Sequence, residues 1–248
     1  MRIGIIGFGS FGRLAAKHLR EKADVFVADI SNKREEAEAL GVKFVSLEKA
    51  ARMPVVILAV PMENFREVLL SIREKVVPGS LVLDVCSLKM FACKEMQEIL
   101  PENVEIIGTH PLFGPNSAPN SLVGMRIALC PVRSAHLGAV KSFCESLGLE
   151  VFVTTPEEHD RQMAASQALT HFIGQIAKRI GLERVQLSTK TFEDLMSIID
   201  IVKNDSGALF RNMQQMNPFA QAVRKNFIDT SLAVDSELKG LIELCEIN

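Results

Sequence analysis

Three glycines close to the start of the chain restrict its fold more than any other feature. They follow an apolar stretch and lead into a sequence with helical periodicity. In a strand–turn–helix unit, the first glycine of GxGxxG permits a tight turn, the second lets a pyrophosphate approach the backbone, and the third lets the helix pack on the strand. The pyrophosphate would bind free amides at the helix N-terminus. We therefore predict a dinucleotide site, with a glycine-rich turn that binds nothing as the alternative. The residues concerned are Gly7, Phe8, Gly9, Ser10, Phe11 and Gly12.

Short apolar runs alternate with helical patterns through the first half of the chain. Most of these runs are almost continuously apolar, as expected for parallel strands that are covered on both faces. The pattern predicts an α/β fold that opens with a Rossmann-type, doubly wound parallel sheet. The predicted strands are residues 2–6, 24–28, 55–59, 81–85, 105–107, 126–129 and 151–153, and the helices between them include residues 11–19 and 134–147.

The pattern changes after Val153, where a helix start replaces the strands. Thr155 is expected to be the N-cap, Pro156 occupies the first helical position, and Glu158 completes a capping box. No β-type run follows, so the remainder is predicted to be all-helical.

These boundaries give two predicted domains. A dinucleotide-binding Rossmann domain covers residues 1–153, and an all-helical domain for substrate binding and dimerisation covers residues 154–248. Asn217-Pro218 is expected to end one helix and to allow another to start. The helical domain is rich in apolar residues, which suggests a homodimer that pairs through the C-terminal helices.

Composition narrows the classes of function. The net charge of −2 and the pI of about 6.2 do not indicate a nucleic-acid or membrane-surface binder. No apolar run approaches the ~20 residues of a membrane helix. No signal-peptide pattern is seen, so we expect a cytoplasmic protein, with organellar import after transit-peptide removal as the alternative. The 5 cysteines form no CxxC pair, which favours reduced thiols and argues against a metal site. Tyrosine is absent, which excludes a tyrosine general base.

Asp29 ends the second predicted strand, where a carboxylate can contact the ribose of the cofactor. It would accept hydrogen bonds from the 2′-hydroxyl and repel a 2′-phosphate, which favours NAD. Lys33 and Arg34 follow closely and can accept that phosphate, so NADP is the alternative, although both also fit a solvated helix start. Val60 and Pro61 follow another strand at the same sheet edge and are expected to contact the cofactor, unless they form a plain strand exit.

The segment of residues 84–89 follows a further strand, so Ser87 and Lys89 should also lie at the ligand crevice. Ser87 can donate one hydrogen bond and accept another, which suits cofactor and catalytic contacts, and it can also cap the next helix. Lys89 can attract an anionic substrate, with an ordinary surface lysine as the alternative.

His110 lies between a predicted strand and a loop that Pro111, Gly114 and Pro115 restrict. Loops at strand ends often carry function, and an imidazole with a pKa near ~6.5 can accept a hydroxyl proton at neutral pH. We therefore predict that His110 is the catalytic base. A buried structural histidine is the alternative.

The first helix of the second domain has a polar face. Asp160, Gln167 and His171 share it by three- and four-residue spacing, and the face is too polar for a core stripe. We expect it to line the substrate cleft. His159 and His171 lack the i, i+4 spacing of a metal-binding pair. The other substrate contacts expected on this segment are Arg161 and Thr170.

Four motifs, in order along nearly the whole chain, resemble the prephenate/arogenate dehydrogenase family of tyrosine biosynthesis. The segment of residues 188–210 is most similar to the plant-type arogenate dehydrogenase branch. The motifs are GxGxxG at residues 7–12, residues 84–89, residues 108–115, and residues 158–161 followed by His171.

The resemblance implies oxidative decarboxylation of a cyclohexadienol by hydride transfer to NAD(P). The carbinol carbon would lose a hydride to the nicotinamide, and carbon dioxide would depart as the ring becomes aromatic. By the same resemblance, His110 binds the ring hydroxyl and accepts its proton. Ser87 holds His110 and the nicotinamide in register, and His171 lines the substrate pocket.

Substrate choice in this family depends on the side chain of the substrate, because arogenate carries an ammonium that prephenate lacks. In the plant-type branch an acidic residue at the position of Asp205 accompanies arogenate, and a carboxylate there attracts the ammonium. The alternative for Asp205 is a helix cap or a surface acid. Many bacterial prephenate enzymes have an arginine where Ile201 stands. The ring carboxylate would then be bound by Lys203, Arg161, Arg211 or a residue of a partner subunit.

Three functions compete at this point. The first is a dehydrogenase for arogenate or, as the alternative, for prephenate, which would give 4-hydroxyphenylpyruvate. The second is a non-catalytic dinucleotide-binding sensor, which has no need of the Ser87, His110 and His171 set. The third is another two-domain dehydrogenase, such as a β-hydroxyacid type, which usually relies on a lysine where this chain offers histidine.

Overall fold

A computed structural model describes residues 1–115, 118, 120–204 and 207–246 of the chain. It divides into two compact units, Met1–His159 and Asp160–Asn248. The boundary expected after Val153 falls inside the first of these units, within a few residues of the division. The two functional domains inferred from the sequence remain a prediction.

The first unit is built on an eight-stranded sheet in the order β3-β2-β1-β4-β5-β6-β7-β8. The order reverses between β1 and β4, as in a doubly wound fold, so the carboxyl ends of β1, β4 and β5 form a crevice. The predicted fold class is confirmed. The strands are β1 Arg2–Ile6, β2 Asp24–Ala28, β3 Lys43–Phe44, β4 Val55–Leu58, β5 Leu81–Asp84, β6 Glu105–Pro111, β7 Arg126–Arg133 and β8 Glu150–Val153.

One strand pair departs from the expected parallel sheet. β6 and β7 pair antiparallel, whereas every other neighbouring pair is parallel. A parallel pairing needs a long crossover, usually through a helix, and the described residues between β6 and β7 form none. The chain therefore turns back, and β7 pairs with β6 as far as Pro111, the last residue of β6.

Helices cover both faces of the sheet. One apolar cluster packs Leu58, Phe65 and Met96 together, and another packs Ile5 and Val27 with helix residues. Coverage on both faces explains why the strands read as continuous apolar runs. The helices of this unit are α1 Ser10–Leu19, α2 Arg34–Ala39, α3 Leu47–Ala51, α4 Met62–Ile72, α5 Lys89–Ile99 and α6 Leu137–Ser146, followed by α7 Pro156–Met163, which contains the division.

The described residues of the second unit form helices joined by short loops, and they contain no strand. Asn217 precedes Pro218 between α10 and α11, and its side-chain amide donates to the carbonyl of Asp160 (2.8 Å). The helix break predicted there is confirmed. The elements are a π-helical turn Ala164–Ala168, then α8 Leu169–Arg179, α9 Lys190–Asn204, α10 Gly207–Gln215 and α11 Ala220–Glu246.

Two further expectations can be compared with the structure. The capping of α7 is confirmed, because Thr155 Oγ1 accepts a hydrogen bond from the amide of Glu158 (3.2 Å). The strand β3 was not predicted, since two residues are too few to give an alternating pattern. Within the described residues, no helix has the length and apolar character needed to cross a membrane.

Candidate active site

The glycine loop between β1 and α1 has the geometry expected of a phosphate-binding turn. Gly7 has a φ of +98°, and a Cβ there would lie 2.3 Å from the carbonyl oxygen of Ala59. A Cβ on Gly12 would lie 2.0 Å from the carbonyl oxygen of Gly7. Only glycine fits these two positions. A Cβ on Gly9, by contrast, would meet nothing within 4 Å, so the backbone there faces open space that a pyrophosphate can enter.

Asp29 fixes this loop while keeping capacity for a further ligand. Its Oδ2 accepts a hydrogen bond from the amide of Phe8 (2.7 Å), and its Oδ1 accepts one from the amide of Ser31 (2.9 Å). A carboxylate offers about four acceptor positions, so two remain for ribose hydroxyls. The aromatic ring of Phe8 itself is buried, which leaves only its backbone for the loop.

The two cations near Asp29 have partners of their own. Lys33 is ion-paired with Glu36 at 2.8 Å, and Arg34 lies 3.9 Å from Glu38. Glu36 has a pKa below its usual range, mainly because Lys33 hydrogen-bonds to it. Both cations therefore start a solvated helix, as one of the two interpretations of the sequence held.

The exit of β4 borders the glycine loop. Val60 Cγ1 lies 2.9 Å from the position that a Cβ on Gly7 would take, and Pro61 is the N-cap of α4. Val60 is half-buried and Pro61 is exposed. Both residues are thus placed at the crevice edge, where the sequence predicted them.

A buried polar network ties the end of β5 to the end of β6. The ammonium of Lys89 is ion-paired with Asp84 Oδ2 and donates to the carbonyl of Thr109 (2.6 Å). Asp84 also accepts from the amides of Thr109 (3.1 Å) and Cys86 (2.9 Å), and the hydroxyl of Thr109 donates to the carbonyl of Asp84. These bonds fix the ends of the two strands near Ser87, which follows β5, and His110, which lies in the last part of β6.

Lys89 is placed differently from the sequence-based expectation. Its side chain is 0% exposed, and its ammonium is directed into the network rather than toward a ligand. Burial is the largest influence on the pKa of Lys89 and lowers it, but the charges of Asp84, Cys86 and Cys93 and the hydrogen bond to Asp84 together outweigh burial, so the net shift is upward. The expectation that Lys89 binds substrate is therefore wrong, and Lys89 instead supports the ends of the strands. Lys89 is the first residue of α5, and from this position its side chain reaches Asp84.

His110 is buried at the end of β6, and a second histidine contacts it. His110 Nδ1 lies 2.9 Å from Nε2 of His159, and the ring planes are 67° apart. Sequence reasoning had considered His159 only as an unsuitable metal ligand. The sequence carries no signal for this contact, because the two histidines are 49 residues apart along the chain.

Burial also sets the protonation of the groups at this strand edge. The pKa of His110 lies well below its usual value of 6.5, first because the ring is buried and then because His159 and Lys89 disfavour a further positive charge. Burial raises the pKa of the Cys86 thiol well above its usual range. At neutral pH the site therefore presents a neutral imidazole beside an unreactive thiol.

Ser87 differs from its expected contacts. Its hydroxyl oxygen is buried and has no hydrogen-bond partner within the described part of the chain. It does not cap α5, whose N-cap is Leu88, and the protein-facing nitrogen of His110 is bonded to His159 instead. A buried hydroxyl without a partner is costly, so this group is suited to bind a ligand at the crevice.

The π-helical turn changes the helix face predicted in the second unit. Because a π turn contains an extra residue, Asp160 and His171 do not share the face that regular α spacing assigns to them. The side-chain oxygen of Gln167 is buried and lacks a hydrogen-bond partner among the described residues. Such turns occur often at functional sites, and here the turn carries Gln167.

The remaining residues predicted in the second unit have local partners. Arg161 stacks on the ring of Phe219 (4.8 Å), and the hydroxyl of Thr170 donates to the carbonyl of Ser166 (2.7 Å). His171 is half-buried, and Lys203 lies 3.6 Å from Asp200. Asp205 lies outside the described residues.

An apolar cavity of about 430 Å³ lies against the sheet between α1 and α6, and Phe11 of the glycine motif forms part of its wall. Its walls include Ile3, Leu81 and Phe143, and its few polar residues are His18, Thr109 and His136. A lining of this kind does not suit a phosphate. In the described part of the chain, no group of three His, Cys, Asp or Glu side chains could hold a metal ion.

Comparison with protein families gives two matches. A model described as the nucleotide-binding domain of prephenate dehydrogenase matches residues 15–153, which is more than half of the chain. A model described as a TYRAAT1-like C-terminal domain matches residues 176–244.

Two curated proteins are similar over nearly the whole chain. The probable arogenate/prephenate dehydrogenase of Methanocaldococcus jannaschii is 30% identical over 257 residues, which cover 97% of this chain and 57% of that protein. Arogenate dehydrogenase 1, chloroplastic, of Arabidopsis thaliana is 29% identical over 252 residues, which cover 97% and 39%. The chain thus spans less than two thirds of the length of either relative.

A solved structure shares the fold. Prephenate dehydrogenase from A. aeolicus, in complex with hydroxyphenyl propionate and NAD+, matches with a TM-score of 0.76 at 22% identity. The match covers 99% of this chain and 95% of that one.

Proposed function

Because this chain belongs to the prephenate dehydrogenase family, we propose that it is an NAD-dependent dehydrogenase that converts L-arogenate to L-tyrosine by oxidative decarboxylation. One observation carries the proposal beyond the family match. His110 stands at the end of β6 with Nδ1 bonded to His159, so its Nε2 is the nitrogen available to a substrate hydroxyl. Prephenate is the alternative substrate.

The crevice fits a dinucleotide. The open space over Gly9 and the unused acceptor positions of Asp29 support binding of a pyrophosphate and a ribose. Val60, Pro61 and Ser87 border the same edge and are proposed to contact the nicotinamide side. When bound, NAD supplies the acceptor for the hydride. The pairing of Lys33 and Arg34 with nearby glutamates supports NAD over NADP, because both cations are already neutralised by a carboxylate where a 2′-phosphate would need a positive charge.

His110 is proposed to accept the proton of the ring hydroxyl as the hydride leaves the same carbon. A carbonyl then develops, carbon dioxide departs, and the ring becomes aromatic. The low pKa of His110 keeps the imidazole neutral at physiological pH, which a proton acceptor requires. The buried Ser87 hydroxyl is proposed to hydrogen-bond the developing carbonyl or the nicotinamide amide.

The second unit is proposed to bind the rest of the substrate. Gln167 is the strongest candidate because its buried side-chain oxygen has no hydrogen-bond partner among the residues that the structure describes. A preference for arogenate rests on Asp205, whose carboxylate would attract the substrate ammonium, and on similarity to an arogenate dehydrogenase. Arg161 and Lys203 are proposed for the ring carboxylate. Thr170 and His171 are proposed for the pocket wall.

Assembly as a homodimer through the C-terminal helices also remains a proposal. It is supported by apolar side chains that α11 exposes, among them Ile228 (43%) and Leu232 (65%), which are four residues apart and so share a face. A cytoplasmic location is likewise a prediction from the sequence.

Steady-state kinetics with arogenate and prephenate, each against NAD and NADP, test the proposal. We expect the largest kcat/KM for arogenate with NAD. Asp205→Asn should shift the ratio of specificity constants toward prephenate, whereas the control Lys203→Gln should leave the ratio unchanged, because the ring carboxylate proposed for Lys203 is common to both substrates. An unchanged ratio would remove Asp205 from substrate binding. Binding of NAD with no turnover of either substrate would instead favour the dinucleotide-binding sensor.

A further inference from the structure

The hydrogen bond between the rings of His110 and His159 has a direction. His110 Nδ1 and His159 Nε2 face each other at 2.9 Å, so one nitrogen must carry the hydrogen and the other must accept it. If His110 is to accept a proton at Nε2, its resting hydrogen must be on Nδ1. His159 Nε2 is then the acceptor, and the hydrogen of His159 is on Nδ1. The contact therefore selects the tautomer of both rings.

The surroundings of His110 disfavour its protonated, positively charged form. The charged and titratable groups that act on it are His159 of α7 and Lys89 of α5. The carboxylate of Asp84 is already bonded to Lys89 and to two backbone amides. Within the described ranges, no carboxylate acts on His110 in the way that an aspartate stabilises the imidazolium of a serine-protease triad. When Nε2 accepts a proton, loss of the other ring proton from Nδ1 is therefore favourable.

We propose that His159 receives this proton, so that the two histidines form a relay. As the substrate O–H bond breaks, an N–H bond forms at His110 Nε2. The Nδ1–H bond of His110 breaks, and an N–H bond forms at His159 Nε2. His110 ends neutral with its tautomer reversed, and His159 carries the positive charge. The resting state returns when His110 Nε2 loses its proton to water and His159 gives the other proton back to Nδ1.

The relay rests on the proposed function, and it differs in a measurable way from simple orientation of His110. A glutamine at residue 159 can accept a hydrogen bond through its side-chain carbonyl but cannot take up a proton. Orientation alone would survive His159→Gln, whereas transfer would not. His159→Phe removes both and preserves the apolar bulk. His136→Gln is the matched control, because His136 is 61% exposed and pairs with Glu105 at the start of β6.

The first test uses the free protein. The chain has 5 histidines, so long-range ¹H–¹⁵N spectra of the imidazoles can be assigned with single variants. At pH 7.5 we expect a protonated Nδ1 and an unprotonated Nε2 on His110, and an unprotonated Nε2 on His159. His159→Gln should retain the Nδ1–H tautomer of His110. A spectrum in which His159 Nε2 carries the hydrogen would overturn the relay, whatever the enzyme's substrate.

The second test is single-turnover reduction of NAD in mixtures of H₂O and D₂O. For the wild type we expect a curved proton inventory, which indicates two protons in motion. His159→Gln should give a linear inventory and a rate lower by ~10²-fold, at the lower end of the range for loss of acid–base assistance, with unchanged NAD affinity. A glutamine variant with wild-type rate and inventory would leave only orientation and refute the relay. A wild type without turnover would refute the proposed function, while the tautomer measurement would still stand.

Discussion

The polar groups at the strand ends of the first unit and those on the helices of the second are held in different ways. At the ends of β5 and β6, Asp84, Lys89 and Thr109 bond to one another in the interior, and they fix the start of the segments that carry Ser87 and His110. In the second unit, Arg161 and Lys203 have partners on the surface of the helices. The proposed proton acceptor thus has a buried support, whereas the proposed substrate contacts Arg161 and Lys203 lie on the surface.

The largest effect should come from His110, which lies beside the buried network of Asp84, Lys89 and Thr109. His110→Ala is expected to lower turnover by ~10²–10⁴-fold, because the hydroxyl proton loses its acceptor. The affinity for NAD, measured by titration, should stay close to wild type, since the glycine loop is untouched. Arg161→Ala is the comparison from the second unit, and we expect it to raise KM more than it lowers kcat. Near-normal turnover of His110→Ala would mean that another group accepts the proton.

The buried network should also dominate stability. Asp84→Ala leaves Lys89 buried without its counter-charge and is expected to lower the free energy of unfolding by about 3–5 kcal/mol. Asp84→Asn retains an acceptor for the amides and should cost less. Lys203→Ala, which disrupts an exposed pair, should cost no more than about 1 kcal/mol. Urea unfolding checks all three, and equal losses for Asp84→Ala and Lys203→Ala would contradict the distinction between the units.

Stability should depend on pH through His110. Its pKa is lower in the folded protein than the usual 6.5, so below pH 6.5 the unfolded chain binds a proton that the folded protein does not. The free energy of unfolding should then fall as the pH drops through this window, by up to about 1.4 kcal/mol per pH unit.

His110→Gln should flatten this dependence between pH 6.5 and 5. The surface carboxylates with lowered pKa, such as Glu105, have a usual value of 4.5 and act at lower pH. The same slope in wild type and variant would show that the ring is not buried in its neutral form.

The sequence could predict the features that depend on local residue patterns, but not those that depend on contacts between distant segments. Apolar strands and the glycine pattern identify the sheet and the cofactor loop because each residue acts through its own strand or turn. The antiparallel β7 was missed because strand direction depends on the path of the link and not on local composition. Lys89 was misjudged because a residue at a helix start can turn inward, and only the position of Asp84 decides which way it turns.

His159 shows the limit most clearly. It is 49 residues from His110 along the chain, and nothing in the spacing of the two predicts a contact. The π turn that follows is equally hidden, since the segment of residues 164–168 has a composition that regular helices also have. Pairings across the fold and local departures from regular geometry therefore needed coordinates.

The smallest expected effect concerns the choice between NAD and NADP. Asp29, which is proposed to contact the ribose, already accepts hydrogen bonds from the amides of Phe8 and Ser31. Asp29→Ser should relax discrimination against NADP by ~10-fold or less, because the 2′-phosphate no longer meets a negative charge but still lacks a dedicated cation. The variant also weakens the bond to the Phe8 amide, so affinity for NAD should fall slightly. Asp29→Asn keeps an acceptor for that amide and separates the two effects. Ratios of kcat/KM for NAD and NADP measure the outcome, and an unchanged ratio in both variants would mean that another group contacts the ribose.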